Sequence, residues 1–375
     1  MKTVAIICEY DPFHRGHKHQ IELIREHFGA DTTVISLMSG SAVQRGRLSV
    51  YPKHLRAEAA IKCGSDLVLE LPCPYCCSSA EFFATGSVSL LNAIGGIDYL
   101  AFGSESGDLE ALKGASDIML SDEFISSIKN NGKNGHIKTA EEIFLSLGSK
   151  DFPSRPNDIL AIEYISAIKK TNSKIVPFTY RRENGWSATR SRELLTKNSD
   201  PSEMIPDEAM RVFEGSEITD DSIYSAIALH TIRSTPDAVL SGYFGMNGGV
   251  SGLIKSKADE VTTVSELIEH CTGKTYTSAR IRRAILSSVL EITEENVREA
   301  PAFTSLLAAN EKGREFLNKI KKSSSVQIVT KVADGASMPE SIKKQFEISL
   351  RADKLMCLCR SEASSEAFKR SPFIL

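Results

Sequence analysis

The 375-residue sequence has no strong charge of one sign, a single tryptophan and no long apolar run. Lys and Arg number 45 against 48 Asp and Glu, a formal net charge of -3, so no global positive field draws the chain onto nucleic acid. Any such binding must come from local patches. A membrane span needs roughly 20 apolar residues in succession, and none is present, so no membrane partner is expected. The apolar stretch after Lys2 ends by Cys8, too short for a secretion signal, and acidic and aromatic residues follow, so the expected location is the cytosol. There the eight cysteines are expected as free thiols. Cys73-Pro74-Tyr75-Cys76 has metal-ligand spacing but no second pair to match it, Cys357-Leu358-Cys359 being too tight; small buried hydrophobes, and no metal site, are the expectation.

What is present is an ordinary globular composition, 41% apolar and 25% charged, in a chain long enough for two domains. The first half alternates short β-branched runs with amphipathic stretches, the pattern of a parallel sheet wrapped by helices. Strands are expected at Val4–Cys8, Thr33–Met38, Leu67–Leu71, Tyr99–Phe102 and Ile175–Phe178. Helices are expected at His17–Phe28, stopped by Gly29, at Leu55–Cys63, at Ala80–Ala93 and from Ile159 to Lys169. After about Pro201 the 3.6-residue period dominates, over Asp221–His230, Val264–Cys271, Ser278–Leu290 and Glu311–Lys321. A boundary near residue 200 and a mainly helical remainder follow, with Gly242–Gly252 as a flexible loop.

The residues that point to chemistry sit where the first strand hands over to the first helix. His14-Arg15-Gly16-His17 places two histidines three apart, both able to face a ligand from one edge. Pro12 stiffens the turn, and Gly16 leaves room for close approach. A strand-loop-helix start supplies backbone N–H groups and the positive end of a helix dipole, which suits a triphosphate. Attack on an α-phosphate builds charge on the phosphoryl oxygens and the departing pyrophosphate, so fixed donors are needed there. Two further segments strengthen this reading. In Trp186-Ser187-Ala188-Thr189-Arg190-Ser191-Arg192, small hydroxyl residues open a helix and Arg192 follows one turn in. Phe102-Gly103-Ser104-Glu105 puts a glycine at the carboxyl end of a strand, the edge where open α/β sheets bind ligands.

The string Glu9-Tyr10-Asp11-Pro12-Phe13-His14-Arg15-Gly16-His17 resembles the start of bacterial tRNA(Met) cytidine acetate ligases, within the HIGH-motif nucleotidyltransferase superfamily. The likeness continues through Met38-Ser39-Gly40, Val43-Gln44-Arg45-Gly46, Asp66 to Pro72, Phe102 to Glu105, Pro156 to Leu160 with Glu163-Tyr164, Arg182, Lys331 and Phe346 to Ala352. Asp11 stands where asparagine is usual and Arg47 where an acidic residue commonly follows Gln-Arg-Gly; both read as surface or loop changes. Ser191 stands where an apolar residue is usual.

The resemblance implies a Rossmann-like parallel-sheet catalytic domain over 1–200 and a mainly helical tRNA-binding domain over 201–375. It implies ATP contact by Ile7, Cys8, Glu9, Tyr10, Asp11, Pro12, Phe13, His14, Arg15, Gly16, His17, Lys18, His19 and Gln20, and by Gly103, Asn157 and Arg182. Ser187, Thr189 and Arg192 join them as phosphate grips, and His14 and His17 are the catalytic candidates. Magnesium should accompany ATP, held largely by phosphates and water. The implied reaction joins acetate to the α-phosphate and passes the acetyl group to N4 of the wobble cytidine, position 34, of elongator tRNA(Met).

Asn157 read without the family would be a helix cap. Gln44 and Arg45 are candidates for acetate or a tRNA phosphate. For RNA the basic patches are Arg280, Arg282 and Arg283, with Arg280 and Arg283 on one helix face, and the cluster Lys312, Arg314, Lys319, Lys321 and Lys322. Two other readings use the same motifs: a small-metabolite adenylyltransferase, and a nucleotide-sensing RNA-binding protein without turnover. The first leaves the C-terminal basic patches without a task, and the second has no need of transition-state groups.

Overall fold

The computed structural model describes residues 2–130, 142, 143, 145, 146, 155–183 and 185–375. In chain order, β1 (Thr3–Cys8) and α1 (Arg15–Phe28) lead to β2 (Thr33–Ser39), then to a small hairpin of β3 (Ala42–Val43) and β4 (Arg47–Leu48). Next come α2 (Lys53–Lys62), β5 (Leu67–Leu71), α3 (Ala80–Ile94), β6 (Tyr99–Ser104), α4 (Leu109–Met119), α5 (Asp122–Asn130), α6 (Pro156–Lys170) and β7 (Val176–Arg181). The remainder runs α7 (Ala188–Thr196), α8 (Asp207–Phe213), α9 (Asp221–Ser234), α10 (Asp237–Leu240), α11 (Val250–Ala258), α12 (Val264–Cys271), α13 (Ser278–Val289) and α14 (Glu294–Arg298). It ends with β8 (Phe303–Ala309), α15 (Glu311–Ile320), β9 (Gln327–Val329), α16 (Glu340–Leu358) and β10 (Phe373–Ile374).

The main sheet has the order β10-β8-β5-β2-β1-β6-β7, parallel throughout except where β8 runs antiparallel to β5. Its central strands β1, β2 and β5 are buried on both faces, which is why they read as near-continuous apolar runs, whereas β7 and β10 are partly exposed. The period of two sends Val4, Ile6 and Val34 to one face, with Ile21 and Ile24 of α1 and Ala57 of α2. Ala5, Ile35 and Leu37 go to the other, with Val88 and Leu91 of α3 and Ile162 and Ile165 of α6. Gly29 ends α1 at φ +101°, a conformation that side chains resist.

The expected α/β class followed by helices is what the chain adopts, with two amendments. The sheet does not stop at residue 200: β8 and β10 return from the C-terminal part and pair with β5 and with each other. The boundary is thus bridged by hydrogen bonds between segments more than 200 residues apart. The stretch Gly242–Gly252 is not a free loop, for Met246 is fully buried, the Phe244 N–H donates to the Ile292 carbonyl at 2.8 Å, and α11 begins at Val250. Among the described residues no helix is long and apolar enough to cross a membrane.

Candidate active site

The carboxyl ends of β1, β2, β6 and β7 converge on one edge, where parallel α/β sheets leave room for ligands. Arg56, fully buried on α2, fixes the loops there. It donates to the carbonyls of Tyr51 at 2.9 Å, Ser39 at 3.1 Å and Glu9 at 2.5 Å, and to that of Gly40. Sequence reading did not single it out, because a surface arginine and a loop-tying one look alike until distant carbonyls are brought together.

His14 is the N-cap of α1, and His17 closes a capping box with it. The Gly16 N–H donates to His14 Nδ1, and the His14 N–H donates to His17 Nδ1, each at 3.1 Å. A ring nitrogen that accepts carries no proton, so in both neutral rings the proton sits on Nε2. The rings stack with centroids 3.6 Å apart. Burial pushes the His14 pKa down to about 3, helped by Arg182 and Arg192. Burial, then His14 and Arg182, drives that of His17 well below its usual value. Each ring therefore keeps one free Nε2–H donor.

The backbone donors expected at the start of α1 are engaged. Arg15 N–H goes to the Met204 carbonyl at 2.7 Å, Gly16 N–H to His14, and His17 N–H to the His14 carbonyl at 2.9 Å. The donors left for a ligand are the two imidazoles, backed by the helix dipole. Gly16 is small because a Cβ there would sit 3.0 Å from the His14 ring.

Both rings line a cleft together with Gly16, His19, Gln20, Tyr180, Arg182, Glu183 and Trp186. Tyr180 and Glu183 were missed from sequence. The other members of Ile7–Gln20 support from behind. Tyr10, at φ +47°, is buried with its ring 4.8 Å from both Phe13 and His17 and its hydroxyl 2.9 Å from Ser36 Oγ. Arg15 turns to the Ser202 carbonyl, and Lys18 to Glu208 at 2.7 Å, so neither points into the cleft. Ile7, Cys8, Pro12 and Phe13 are wholly or largely buried.

On the far wall Gly103 allows close packing: a Cβ would fall 2.7 Å from Arg182 Cγ and 2.9 Å from the Tyr180 hydroxyl. Arg182 Nη1 donates to Asn157 Oδ1 at 3.2 Å, and Asn157 Nδ2 donates to Glu105 Oε1 at 2.6 Å. Glu105 also accepts the N–H groups of Asn157 and Asp158, so the cap of α6 is Glu105, not Asn157. Asn157 is thereby a hinge between that carboxylate and the cleft arginine.

Ser187 caps α7 by accepting the Arg190 N–H at 3.1 Å. Thr189 Oγ1 accepts from Arg192 Nη2 at 3.1 Å, and Arg192 Nη1 donates to the Asp11 carbonyl at 2.7 Å. Arg192 is thus carried from α7 to the loop after β1, and burial followed by Arg47 lowers its pKa to about 10. Ser191 is buried with its hydroxyl satisfied, donating to the Ser187 carbonyl at 3.0 Å.

Asp11 and Arg47 are not surface changes. Asp11 is 1% exposed and ion-paired with Arg47. The Gln44 N–H donates to Glu9 Oε1 at 2.7 Å, leaving the Arg45 side chain exposed at the hairpin tip. That tip rests on α13: a Cβ at Gly46 would lie 2.6 Å from the Arg283 backbone nitrogen.

The three α13 arginines have three settings. Arg280 lies over the Tyr276 ring and donates to Asn247 Oδ1 at 3.2 Å. Arg283 is held beneath the hairpin, where burial lowers its pKa. Arg282 lies within electrostatic reach of Arg47 and Arg45, and of Asp221. Arg192 feels the same two arginines. Arg192, Arg47, Arg45 and Arg282 thus form a basic track, with the Asp11 and Asp221 carboxylates among them. By contrast, Lys312 donates to the Ala30 carbonyl, placing the α15 cluster at the opposite edge of the sheet.

The sequence profile of the family described as HIGH Nucleotidyl Transferase matches residues 1–371. The chain is 34% identical to a tRNA(Met) cytidine acetate ligase of Caldanaerobacter subterraneus subsp. tengcongensis, over 96% of this chain and 95% of that protein. It is 30% identical to that of Acetivibrio thermocellus, over 96% and 95%. It is similar, at TM-score 0.93 and 26% identity over the whole of both chains, to crystalline Thermotoga maritima TmcAL bound with alpha-thio ATP.

Proposed function

The chain belongs to the HIGH nucleotidyl transferases and, within them, to the tRNA(Met) cytidine acetate ligases, and from that premise we propose that it acetylates N4 of the wobble cytidine of elongator tRNA(Met), using ATP and acetate. The observation that carries the chemistry is the His14–His17 pair, two neutral rings with both Nδ1 atoms tied to backbone and both Nε2–H groups free at a cleft. Neutral donors fixed before substrate arrives stabilise charge as it develops on the phosphoryl oxygens, with no reorganisation cost at that moment.

An acetate oxygen attacks the α-phosphorus and pyrophosphate departs, giving acetyl-adenylate. His14 and His17 donate to the α-phosphoryl oxygens, while Arg182 and Arg192 offset the charge of the leaving group. Trp186 and Tyr180 supply flat faces for the nucleoside, and Asn157 keeps Arg182 in place. Asp11 is engaged by Arg47 and the Val50 N–H, and Glu9 by the Gln44 N–H, so neither of these carboxylates is open to a metal. This donor set fits magnesium carried by the phosphates and water, where it would neutralise the departing pyrophosphate.

The weakly nucleophilic exocyclic amine of cytidine then attacks the activated carbonyl, and AMP leaves. The track from Arg192 to Arg282 lies beside the adenylate site and suits the phosphates of a single-stranded anticodon loop, whose bases are already unpaired. The helical part thus contributes to RNA binding through α13, while residues 303–309 and 373–374 belong to the catalytic sheet. The deciding experiment supplies labelled acetate, ATP and tRNA, followed by nucleoside analysis. Label in N4-acetylcytidine of tRNA(Met) is expected. Turnover of ATP onto a small metabolite with no RNA present would replace this reading by the metabolite adenylyltransferase.

A further inference from the structure

Immediately after β5 the chain places Cys73, Cys76 and Cys77 around one point. All three are 3% exposed or less, and their sulfurs lie within 4.8 Å of one another. Cys73 Sγ and Cys76 Sγ are 3.3 Å apart, closer than the roughly 3.5–4.0 Å at which carbon atoms of small hydrophobes pack. The Cys73 and Cys76 thiols hydrogen-bond to one another, and Cys77 Sγ donates to the Pro74 carbonyl at 3.4 Å, so polar contacts as well as apolar burial hold the three sulfurs together.

The spacing suits a shared ion. Sulfurs bound about 2.3 Å from a metal in a trigonal plane stand about 4 Å apart, inside the range these three span. Among the described residues no fourth His, Cys, Asp or Glu joins the group. A structural zinc site normally has four ligands, whereas soft thiolate sets select Cu(I). The segment is also anchored from outside, the Cys73 N–H donating to Ser349 Oγ of α16 at 3.0 Å.

We propose that Cys73, Cys76 and Cys77 form a three-thiolate site for a soft monovalent cation of the Cu(I) type. The site lies where the sheet edge, α16 and α13 meet, so the ion acts as a structural staple and takes no part in adenylation.

The test is an anaerobic titration of the full, reduced chain with Cu(I) against the chromophoric chelator bathocuproine disulfonate. One Cu(I) per chain should be withheld from the chelator, with thiolate-to-copper absorption in the ultraviolet and a raised melting temperature. Cys73→Ser, Cys76→Ser and Cys77→Ser should each weaken retention by about tenfold to a hundredfold or more. Cys271→Ser, at a buried cysteine outside the cluster, should leave it unchanged, and acetate-dependent ATP–pyrophosphate exchange should be equal with and without copper. Should a serine variant fail to fold, alkylation of the natural chain in mild denaturant decides, since Cu(I) must then shield these three thiols and not Cys271. Complete transfer of Cu(I) to the chelator, retention that survives Cys76→Ser, or a Cys73–Cys76 disulfide in the freshly purified chain would each overturn the proposal.

Discussion

Arg47 on β4 holds Asp11, the residue before the cleft turn: its guanidinium pairs with one carboxylate oxygen while the Val50 N–H donates to the other at 2.6 Å. These are two of the three positions at which the sequence departs from the pattern of the family it resembles, Ser191 being the third. The structure makes Asp11 and Arg47 partners, so their departures compensate each other. A buried carboxylate gained near the phosphate end of the cleft is offset by a cation gained opposite it.

Arg47→Ala should therefore destabilise the fold. Breaking a buried pair leaves an uncompensated charge and costs about 3–5 kcal/mol. Arg47 is 23% exposed, so water relieves part of this, and about 2 kcal/mol is expected. Adding Asp11→Asn to Arg47→Ala should restore most of the loss, because an amide still accepts the Val50 N–H without carrying charge. Urea unfolding of both single variants and the double reads the coupling. Strictly additive losses would mean the two residues do not act as a pair.

His17→Ala removes one of two free imidazole donors and should cut acetate-dependent ATP–pyrophosphate exchange by about 10²-fold or more. Binding of tRNA should stay close to that of the natural chain, because the basic track does not include the ring. Equal loss of both would show damage to the α1 start.

The imidazoles also set an acid limit. Burial depresses the pKa of both His14 and His54 to about 3, and that of His17 well below 6.5, whereas the unfolded chain titrates near 6.5. The unfolded state then binds protons that these folded rings refuse. Stability is full above about pH 6.5 and falls as pH drops toward 3, by at most about 1.4 kcal/mol per pH unit for each ring. Urea midpoints measured from about pH 7 to pH 4.5 should decline, and His54→Gln, away from the cleft, should make the decline shallower. A flat profile would show that these rings are charged in the fold.

The first half of the site was legible because it is local. A β-branched run, a glycine stop and two histidines one turn apart report their own geometry, and Thr33–Met38 and Leu67–Leu71 emerged nearly at the observed bounds. What was not legible depends on residues far apart in the chain. Glu105 caps a helix that begins some fifty residues later, Arg56 collects carbonyls from three loops, and β8 inserts beside β5. Helical spacing placed Arg280 and Arg283 on one face, yet it could not show that Gly46 covers Arg283 while Arg282 is the one beside Arg45.

That difference changes the salt dependence to be expected. Arg45→Ala and Arg282→Ala should each lower the slope of log K against log salt for tRNA by about 0.7–0.9 in magnitude. Arg283→Ala should weaken the fold more than the slope. Acetyl-adenylate formation without tRNA should survive both Arg45→Ala and Arg282→Ala. An unchanged slope in the Arg45→Ala/Arg282→Ala double variant would take α13 out of the RNA interface.

The most direct test of the account follows oxygen. With acetate labelled with ¹⁸O at both carboxylate oxygens, attack on the α-phosphorus makes one acetate oxygen the bridge of acetyl-adenylate. Attack of the cytidine amine on the carbonyl then leaves that oxygen with AMP. Mass spectrometry of the products formed with ATP and tRNA(Met) should find one ¹⁸O in each AMP, the other in the acetyl group on the tRNA, and none in pyrophosphate. AMP without label, or ADP as the nucleotide product, would contradict an acetyl-adenylate made at His14 and His17.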